Sequence, residues 1–434
     1  MRWLRTVDYE EPNMQLPVLS SAEASNSCGS ACGVAGRDTV DSACHENQAA
    51  ELVEVPFENR RLELGASPDV GSFVRSIDLD ITVECNLRCT YCFKEKWTEH
   101  MEERVAFDAM VWLLHASGPH RDLHVNFMGG EPLLRFKLIK KLVPFAKRRA
   151  AQLGKTIHFG MTTNGTLVTD DVIAFWKQWG MGFHTSIDGT PEVQDANRPT
   201  QSGRGSARLV EKSVPKILAY RPGVCARSTV TPETAGTLVD SYRYFRGLGY
   251  IDIAFVPGGP ANWDDVSIAE FESQFQIVAK LVQEEFKLGN LIHLKGIGEW
   301  AAGEKRGRSP VSCGAGRSLL LVDIHGDIWP CHRWNKRSHA TWRIGSIYEQ
   351  FNEASRAVLD VKDQTALLEQ DCEHCLANKM CSGGCPAENL EETGSVYRRH
   401  SNACKLTRAV ARVAQSFHEE MVESENEVYV KEYC

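Results

Sequence analysis

The sequence predicts an α/β fold, a parallel, right-handed βα barrel or part of one, followed by a cysteine-rich region. Three observations carry that expectation. From Arg75 onward, strand-like and helix-like stretches alternate through six units. Three cysteines, at 85, 89 and 92, directly follow the first strand-like stretch, where such a barrel places its chemistry. A second group of seven cysteines runs from Cys313 to Cys404.

The elements follow in order. Residues 1–50 are rich in Ser, Ala, Gly and Asn, contain Cys28, Cys32 and Cys44, and predict a loosely ordered arm. Two alternating stretches, Leu52–Val55 and Arg61–Leu64, split by Pro56 to Asn59, predict a hairpin. Strands are expected at Ile77–Val83, His124–Met128, Ile157–Thr162, Gly182–Ile187, Cys225–Val230 and Ile251–Phe255. Helices are expected between them at Val105–Leu114, Leu138–Arg149, Val172–Trp179, Arg208–Tyr220 and Val239–Gly247, and then at Ile268–Leu288. The chain thus divides into an arm (1–70), a barrel (71–265), a helical bridge (266–305), a cysteine-rich domain (306–410) and a C-terminal helix and tail (411–434).

A chain of 434 residues has room for two or more domains, one of them a catalytic core of roughly 200 to 250 residues. The net charge is −8, and no run of Lys and Arg is long enough to follow a phosphate backbone. Nucleic acid is therefore not expected as a substrate; a peptide, protein or small molecule is. No window of about 18 apolar residues exists, and the first residues hold Asp8, Glu10 and Glu11 in place of an apolar signal region, so no membrane association and a cytoplasmic location are expected. The fifteen cysteines fall in tight clusters, a pattern of metal-holding thiolates rather than of a disulfide framework.

The segment Cys85-Asn86-Leu87-Arg88-Cys89-Thr90-Tyr91-Cys92 brings three thiols into one small volume. Three thiolates on one loop can hold a cubane and leave its fourth iron without a protein ligand, whereas a closed structural site wants four. Zinc knuckles, the competing account, show paired Cys-x-x-Cys units. With Phe93 following, the segment resembles the signature of the radical S-adenosylmethionine (SAM) superfamily. The resemblance implies a 4Fe-4S cluster on Cys85, Cys89 and Cys92, with the amino and carboxylate groups of SAM on the open iron, and a partial (β/α)6 barrel of the TIM type.

The next strand ends extend that resemblance. Met128-Gly129-Gly130-Glu131-Pro132 follows the second strand, and glycines there let the backbone approach a ligand closely. It resembles the family's Gly-Gly-Glu motif, which holds the amino group of SAM. Thr162-Thr163-Asn164-Gly165 and Ser186-Ile187-Asp188-Gly189 close the third and fourth strands, and the family uses Asn164 and Ser186 beside the ribose and carboxylate. Turn chemistry is the alternative for both, and Asp188 can instead line a substrate pocket. Arg198 matches a family arginine that can pair with the SAM carboxylate; an exposed loop salt bridge competes.

Cys313, Gly326-Asp327-Ile328-Trp329-Pro330-Cys331, Cys372, Cys375, Cys381, Cys385 and Cys404 are too many thiols for one metal. Their order resembles the SPASM extension of radical SAM enzymes that modify peptides and proteins. The resemblance covers about residues 75–410 and implies two auxiliary 4Fe-4S clusters, one on Cys372, Cys375, Cys381 and Cys404, the other on Cys313, Cys331 and Cys385. The second set stops at three, so an open iron, His332, Cys434 or a substrate thiolate would complete it. Zinc ribbons have the right numbers but leave the barrel motifs unexplained.

The resemblance implies cleavage of SAM to a 5'-deoxyadenosyl radical that takes hydrogen from substrate, with an external electron donor of the flavodoxin or ferredoxin type. The expected reaction is an oxidative modification of a ribosomally made precursor peptide, a thioether or other side-chain crosslink. A sulfatase-type formylglycine maturase is the first rival. That subgroup has Asp directly after the cysteine occupied here by Cys331, and this chain has His332. A non-catalytic metal-binding or redox scaffold is the second. The first 70 residues are short for a complete winged-helix leader-binding domain.

Overall fold

The computed structural model describes residues 74–95, 97–259, 262–306, 314–316, 318–349, 372, 374–381 and 383–434. The expected arm and hairpin, with Cys28, Cys32 and Cys44, and also Cys313, lie outside the described residues. Strand β1 (Ser76–Asp80) is followed by α1 (Glu103–Ala116), β2 (Asp122–Met128), α2 (Phe136–Gln152), β3 (Thr156–Thr163), α3 (Asp170–Trp179) and β4 (His184–Ser186). Next come α4 (Pro191–Asn197), α5 (Ala207–Tyr220), β5 (Cys225–Val230), α6 (Leu238–Leu248), β6 (Asp252–Pro257), α7 (Asp265–Lys287), β7 (His293–Leu294) and α8 (Ile297–Arg306). The chain ends with β8 (Leu319–Val322), β9 (Asp327–Trp329), β10 (Gly345–Ser346), α9 (Pro386–Thr393), α10 (Ser401–Glu423) and α11 (Glu427–Tyr433).

One sheet runs in the order β10-β9-β8-β1-β2-β3-β4-β5-β6-β7. Strands β1 to β7 pair in parallel in chain order, and β8 joins β1 in parallel before β9 and β10 turn back antiparallel. This is the largely parallel α/β sheet of a partial TIM-type core. The additions at its two edges were not legible: β7 has two residues, and β8 is an apolar run of four that periodicity cannot tell from a helix segment. The first strand also ends earlier than expected, at Asp80, because Thr82 turns away to bridge His100 antiparallel.

A parallel strand covered by helices on both faces reads as continuously apolar, yet these strands alternate. The reason is that the helices cover only one face. Ile77, Leu79, Val125, Phe127, Ile157, Phe159 and Ile253 are at most 3 % exposed and join the core under the helices. The opposite face carries Asp78, His124, Asn126, His158, Ser186 and Arg227, with Asp78 registered on Asn126, His124 on His158 and Ser186 on Arg227. Polar side chains on the concave face give the sheet a hydrophilic lumen.

Behind the barrel, α10 packs along α7, and Phe286, Phe417, Tyr429 and Tyr433 meet edge to face where α11 folds back. Among the described residues no helix is long and apolar enough to cross a membrane.

Candidate functional site

The loop from Cys85 to Cys92 leaves the carboxyl end of the β1 segment and is fastened on two sides. On one, the turn after β2 presses against it: Gly130 donates to the Thr82 carbonyl at 2.8 Å and Glu131 to the Glu84 carbonyl at 2.9 Å. The two glycines are required by that approach. A Cβ on Gly129, whose φ is +132°, would stand 2.1 Å from the Thr82 oxygen, and one on Gly130 would stand 2.0 Å from the Glu84 oxygen. On the other side, Arg88 donates to the Pro199 carbonyl at 2.7 Å and Thr90 to that of Asn197 at 3.0 Å. Gln201 Nε2 reaches the Cys85 carbonyl at 2.8 Å.

Cys85 is buried, while Cys89 and Cys92 are half-buried. The Cys85 sulfur accepts the Leu87 N–H at 3.4 Å and a longer contact from Asn164 Nδ2 at 3.9 Å. Donors aimed at a sulfur suit a thiolate ligand, so the three-thiol loop fits a cubane. Among the described residues no three His, Cys, Asp or Glu side chains gather as one metal ion would need. A cubane spreads its thiolates wider than a single ion does.

Glu131, at the turn after β2, is fully buried, and its carboxylate accepts from Leu133 N–H at 3.1 Å, Thr163 Oγ1 at 2.8 Å and Asn164 N–H at 2.8 Å. Burial pushes its pKa up to about 7 against those three bonds. The side chain therefore ties the ends of β2 and β3 together and leaves backbone groups of the Gly129–Glu131 turn as what that turn can offer a ligand. Asn164 follows β3 with its amide on Asn86 Oδ1 at 2.8 Å and its carbonyl taking the Thr166 N–H at 3.0 Å. Ser186 closes β4, half-buried on the lumen face beside Arg227.

Arg198 and Asp188 form a buried pair at 2.9 Å, with the Asp188 carboxylate also accepting from Tyr91 Oη and from Thr229 N–H at 2.9 Å. Tyr91, between Cys89 and Cys92, lies under the Arg198 guanidinium, 5.4 Å from its ring centre. Burial opposes the charge on Arg198, and Asp188, Tyr91 and Cys89 together more than offset it, holding the guanidinium charged. Burial pushes the Tyr91 phenol well above its ordinary value. The Arg198 Nε is buried with no partner among the described residues, a donor suited to the carboxylate of SAM. The competing account for Arg198, an exposed loop salt bridge, differs from what forms: the pair with Asp188 is buried, and Nε remains without a partner among the described residues.

The exit of the cluster loop meets the C-terminal array. Phe93 packs against His332 with ring centres 5.6 Å apart and planes tilted by 35°, and the Arg333 guanidinium sits 4.5 Å above the same ring. His332 Nδ1 pairs with Asp78 Oδ2 at 3.0 Å, and Lys94 pairs with Asp80. No sequence signal marked Asp78, Asp80 or Tyr91 beyond their alternation and position.

Cys331 packs with Trp329, Trp334 and half-buried Cys385 in a separate small core. Cys385 caps α9, where burial and Glu388 push its thiol up against N–H groups of the helix's first turn. Cys375, Cys381 and Cys404 lie close enough for each of the first two to raise the third, after burial and against Arg399. Arg399 donates to the Cys381 sulfur at 3.1 Å, and Cys375 N–H to the Cys372 carbonyl at 3.3 Å. Cys434 is exposed at the chain end.

Residues 79–245 match the family model described as Radical SAM superfamily. The chain is similar to a cysteine-type anaerobic sulfatase-maturating enzyme of Clostridium perfringens, 23% identical over 69% of this chain and 85% of that one. It is also similar to a serine-type anaerobic sulfatase-maturating enzyme of Klebsiella aerogenes, 24% identical over 76% and 84%. The solved structure of native anSMEcpe with bound AdoMet superposes with a TM-score of 0.66 at 20% identity over 80% of this chain and 99% of that one. That of Streptococcus suis SuiB bound to precursor peptide SuiA superposes at 0.51 and 15% identity over 76% of each.

Proposed function

We propose that this chain, a radical SAM enzyme, oxidatively modifies a ribosomally made peptide, forming a thioether or another side-chain crosslink. The observation that carries the reading is the contact of the two cysteine regions: Phe93, next to Cys92, lies against His332 and Arg333, next to Cys331. A substrate in the polar lumen would lie beside both. Cys85, Cys89 and Cys92 would hold a 4Fe-4S cluster, and the backbone of Gly129–Glu131, Asn164, Ser186 and the orphaned Nε of Arg198 would hold SAM. Two auxiliary clusters would use Cys372, Cys375, Cys381 and Cys404, and Cys313, Cys331 and Cys385. Bound there, cluster and SAM supply one-electron chemistry that removes hydrogen from a substrate carbon.

The protein's own part is placement and exclusion of water. Tyr91 and Asp188 hold Arg198 in one orientation, and the glycine turn presses the cluster loop down on β1. Peptide substrates accord with the solved structures of anSMEcpe with a bound peptide and of SuiB with SuiA.

A formylglycine maturase is the second reading, favoured by the sulfatase-maturating relatives. His332 after Cys331 counts against it. Anaerobically reconstituted enzyme, with dithionite, SAM and either a cysteine-bearing precursor peptide from a neighbouring gene or a sulfatase peptide, decides by mass. A loss of two hydrogens without formylglycine supports crosslinking; formylglycine on the sulfatase peptide supports the rival; no 5'-deoxyadenosine from any mixture removes both.

A further inference from the structure

We propose that Asp78 and Asp80 are positioning residues that set, from one strand, the spacing between the loop of Cys85, Cys89 and Cys92 and the loop of Cys331. The inference deepens the functional reading above and rests on it.

Alternation puts both aspartates on the lumen face of β1, opposite Ile77 and Leu79, which are fully buried under the helices. They are 5 % and 1 % exposed, and a carboxylate that deep must be paired or hydrogen-bonded. Each finds its partner on a different loop. Asp80 takes Lys94, two residues past Cys92. Asp78 takes Asn126 Nδ2 at 3.2 Å from the neighbouring strand and His332 Nδ1 at 3.0 Å, one residue past Cys331.

The two latches meet through one ring. Phe93 precedes Lys94, packs against His332 and lies under Arg333, whose Nη1 pairs with Glu388 at 2.9 Å in the first turn of α9, just after Cys385. A continuous path therefore runs from Asp80 through Lys94, Phe93 and Arg333 to the helix that Cys385 caps. Cys331 itself sits in the small core with Trp329 and Trp334, so Asp78 holds the loop that carries Cys331 while its thiol packs there. Removing Lys94 leaves the buried Asp80 charge uncompensated, and the contact of Phe93 with His332 and Arg333 would carry a disturbance of either latch to the other.

The test uses the full chain, reconstituted anaerobically, as parent, Asp78→Asn and Lys94→Met. Lys94→Met breaks the second latch from its less buried side, so a folding failure of Asp80 variants does not enter. Amide exchange is read at two places: the Trp334 N–H, which donates to the Cys331 carbonyl at 3.0 Å, and the Cys92 N–H, which donates to that of Cys89 at 3.2 Å. Lys94→Met is expected to speed exchange at Trp334 at least tenfold and Asp78→Asn to do so at Cys92, each at the parent's iron content. Electron-spin relaxation of the reduced Cys85–Cys89–Cys92 cluster, enhanced by its neighbour, should change at least twofold in both. If each variant loosens only its own loop and relaxation stays at the parent's value, the proposal is wrong. A parent that binds no iron at those three cysteines would overturn this inference together with the functional reading, and its iron content tells the two failures apart.

Discussion

The loop of Cys85, Cys89 and Cys92 and the array from Cys372 to Cys404 are both built of closely spaced thiols, yet they are held differently. The first is placed by long-range contacts: Gly130 and Glu131 from β2, Asn197 and Pro199 from the segment after β4, and Gln201 beyond them. Among the described residues the second carries shorter-range bonds, Cys381 on Ala377, Cys375 on Cys372 and Arg399 on Cys381, beside longer braces, Lys379 on Glu304 and Ala377 in the main core. A loop braced by a finished barrel is expected to keep its geometry without metal. The array, whose backbone bonds are more local, is expected to depend more on the metal proposed for it.

The most severe way to break that contrast is to remove the barrel thiols. Cys85, Cys89, Cys92→Ala together should lower SAM cleavage by more than about a thousandfold, an effect of roughly 4 kcal/mol or more on the barrier. The C-terminal clusters should survive, leaving about eight of about twelve irons. Iron counting with product analysis checks both.

Gly130→Ala attacks the bracing instead of the ligands. Its Cβ would meet the Glu84 oxygen at 2.0 Å, and that oxygen belongs to backbone that cannot swing aside. Displacing the loop should cost about 2–3 kcal/mol of stability and most of the SAM affinity, read by thermal unfolding and equilibrium binding.

Chelation of all iron sharpens the comparison. Amide protection at Gly130 and Thr90 should persist in the apoprotein, while protection at Cys375 and Cys381 falls by at least tenfold. Equal loss in both regions would show that the barrel loop also needs its metal.

A smaller effect is expected from Arg399→Met, which removes donors to the Cys381 sulfur, the Ala403 carbonyl and Thr407. It should shift the spectrum of the cluster at Cys372–Cys404 and leave that of the Cys85–Cys92 cluster unchanged.

The smallest is a pH effect. Glu131 has its pKa raised by burial from 4.5 to about 7. The folded state then binds its proton more tightly than the unfolded state does. The stabilising contribution is complete below about pH 4.5 and is lost as pH rises through about 7. Glu131→Gln should flatten the stability profile of the barrel across that window, as measured by denaturant unfolding.

Much of this site was legible because its signals are local. Spacing alone marks Cys85, Cys89 and Cys92, and periodicity marks β1 to β6. The Gly129–Gly130 pair was legible as a place of close approach, but what approaches is the backbone of Thr82 and Glu84. Glu131 reads in the sequence as a group facing an ammonium, whereas the fold spends its carboxylate on Leu133, Thr163 and Asn164. Tyr91 gave no signal, since its partner Asp188 is almost a hundred residues away.

By itself, then, the sequence determined the βα rhythm, the thiol loop at a strand end and the second cysteine array, because strand alternation, helical period and ligand spacing are all written within a few residues of one another. Only the tertiary structure decided that β8 joins β1, that Phe93 meets His332 and Arg333, and that Asp78 and Asp80 each take a partner from a different loop. Buried charges choose their partners by proximity in the folded chain, and contacts between residues as far apart as Asp78 and His332 leave no periodic mark in the sequence.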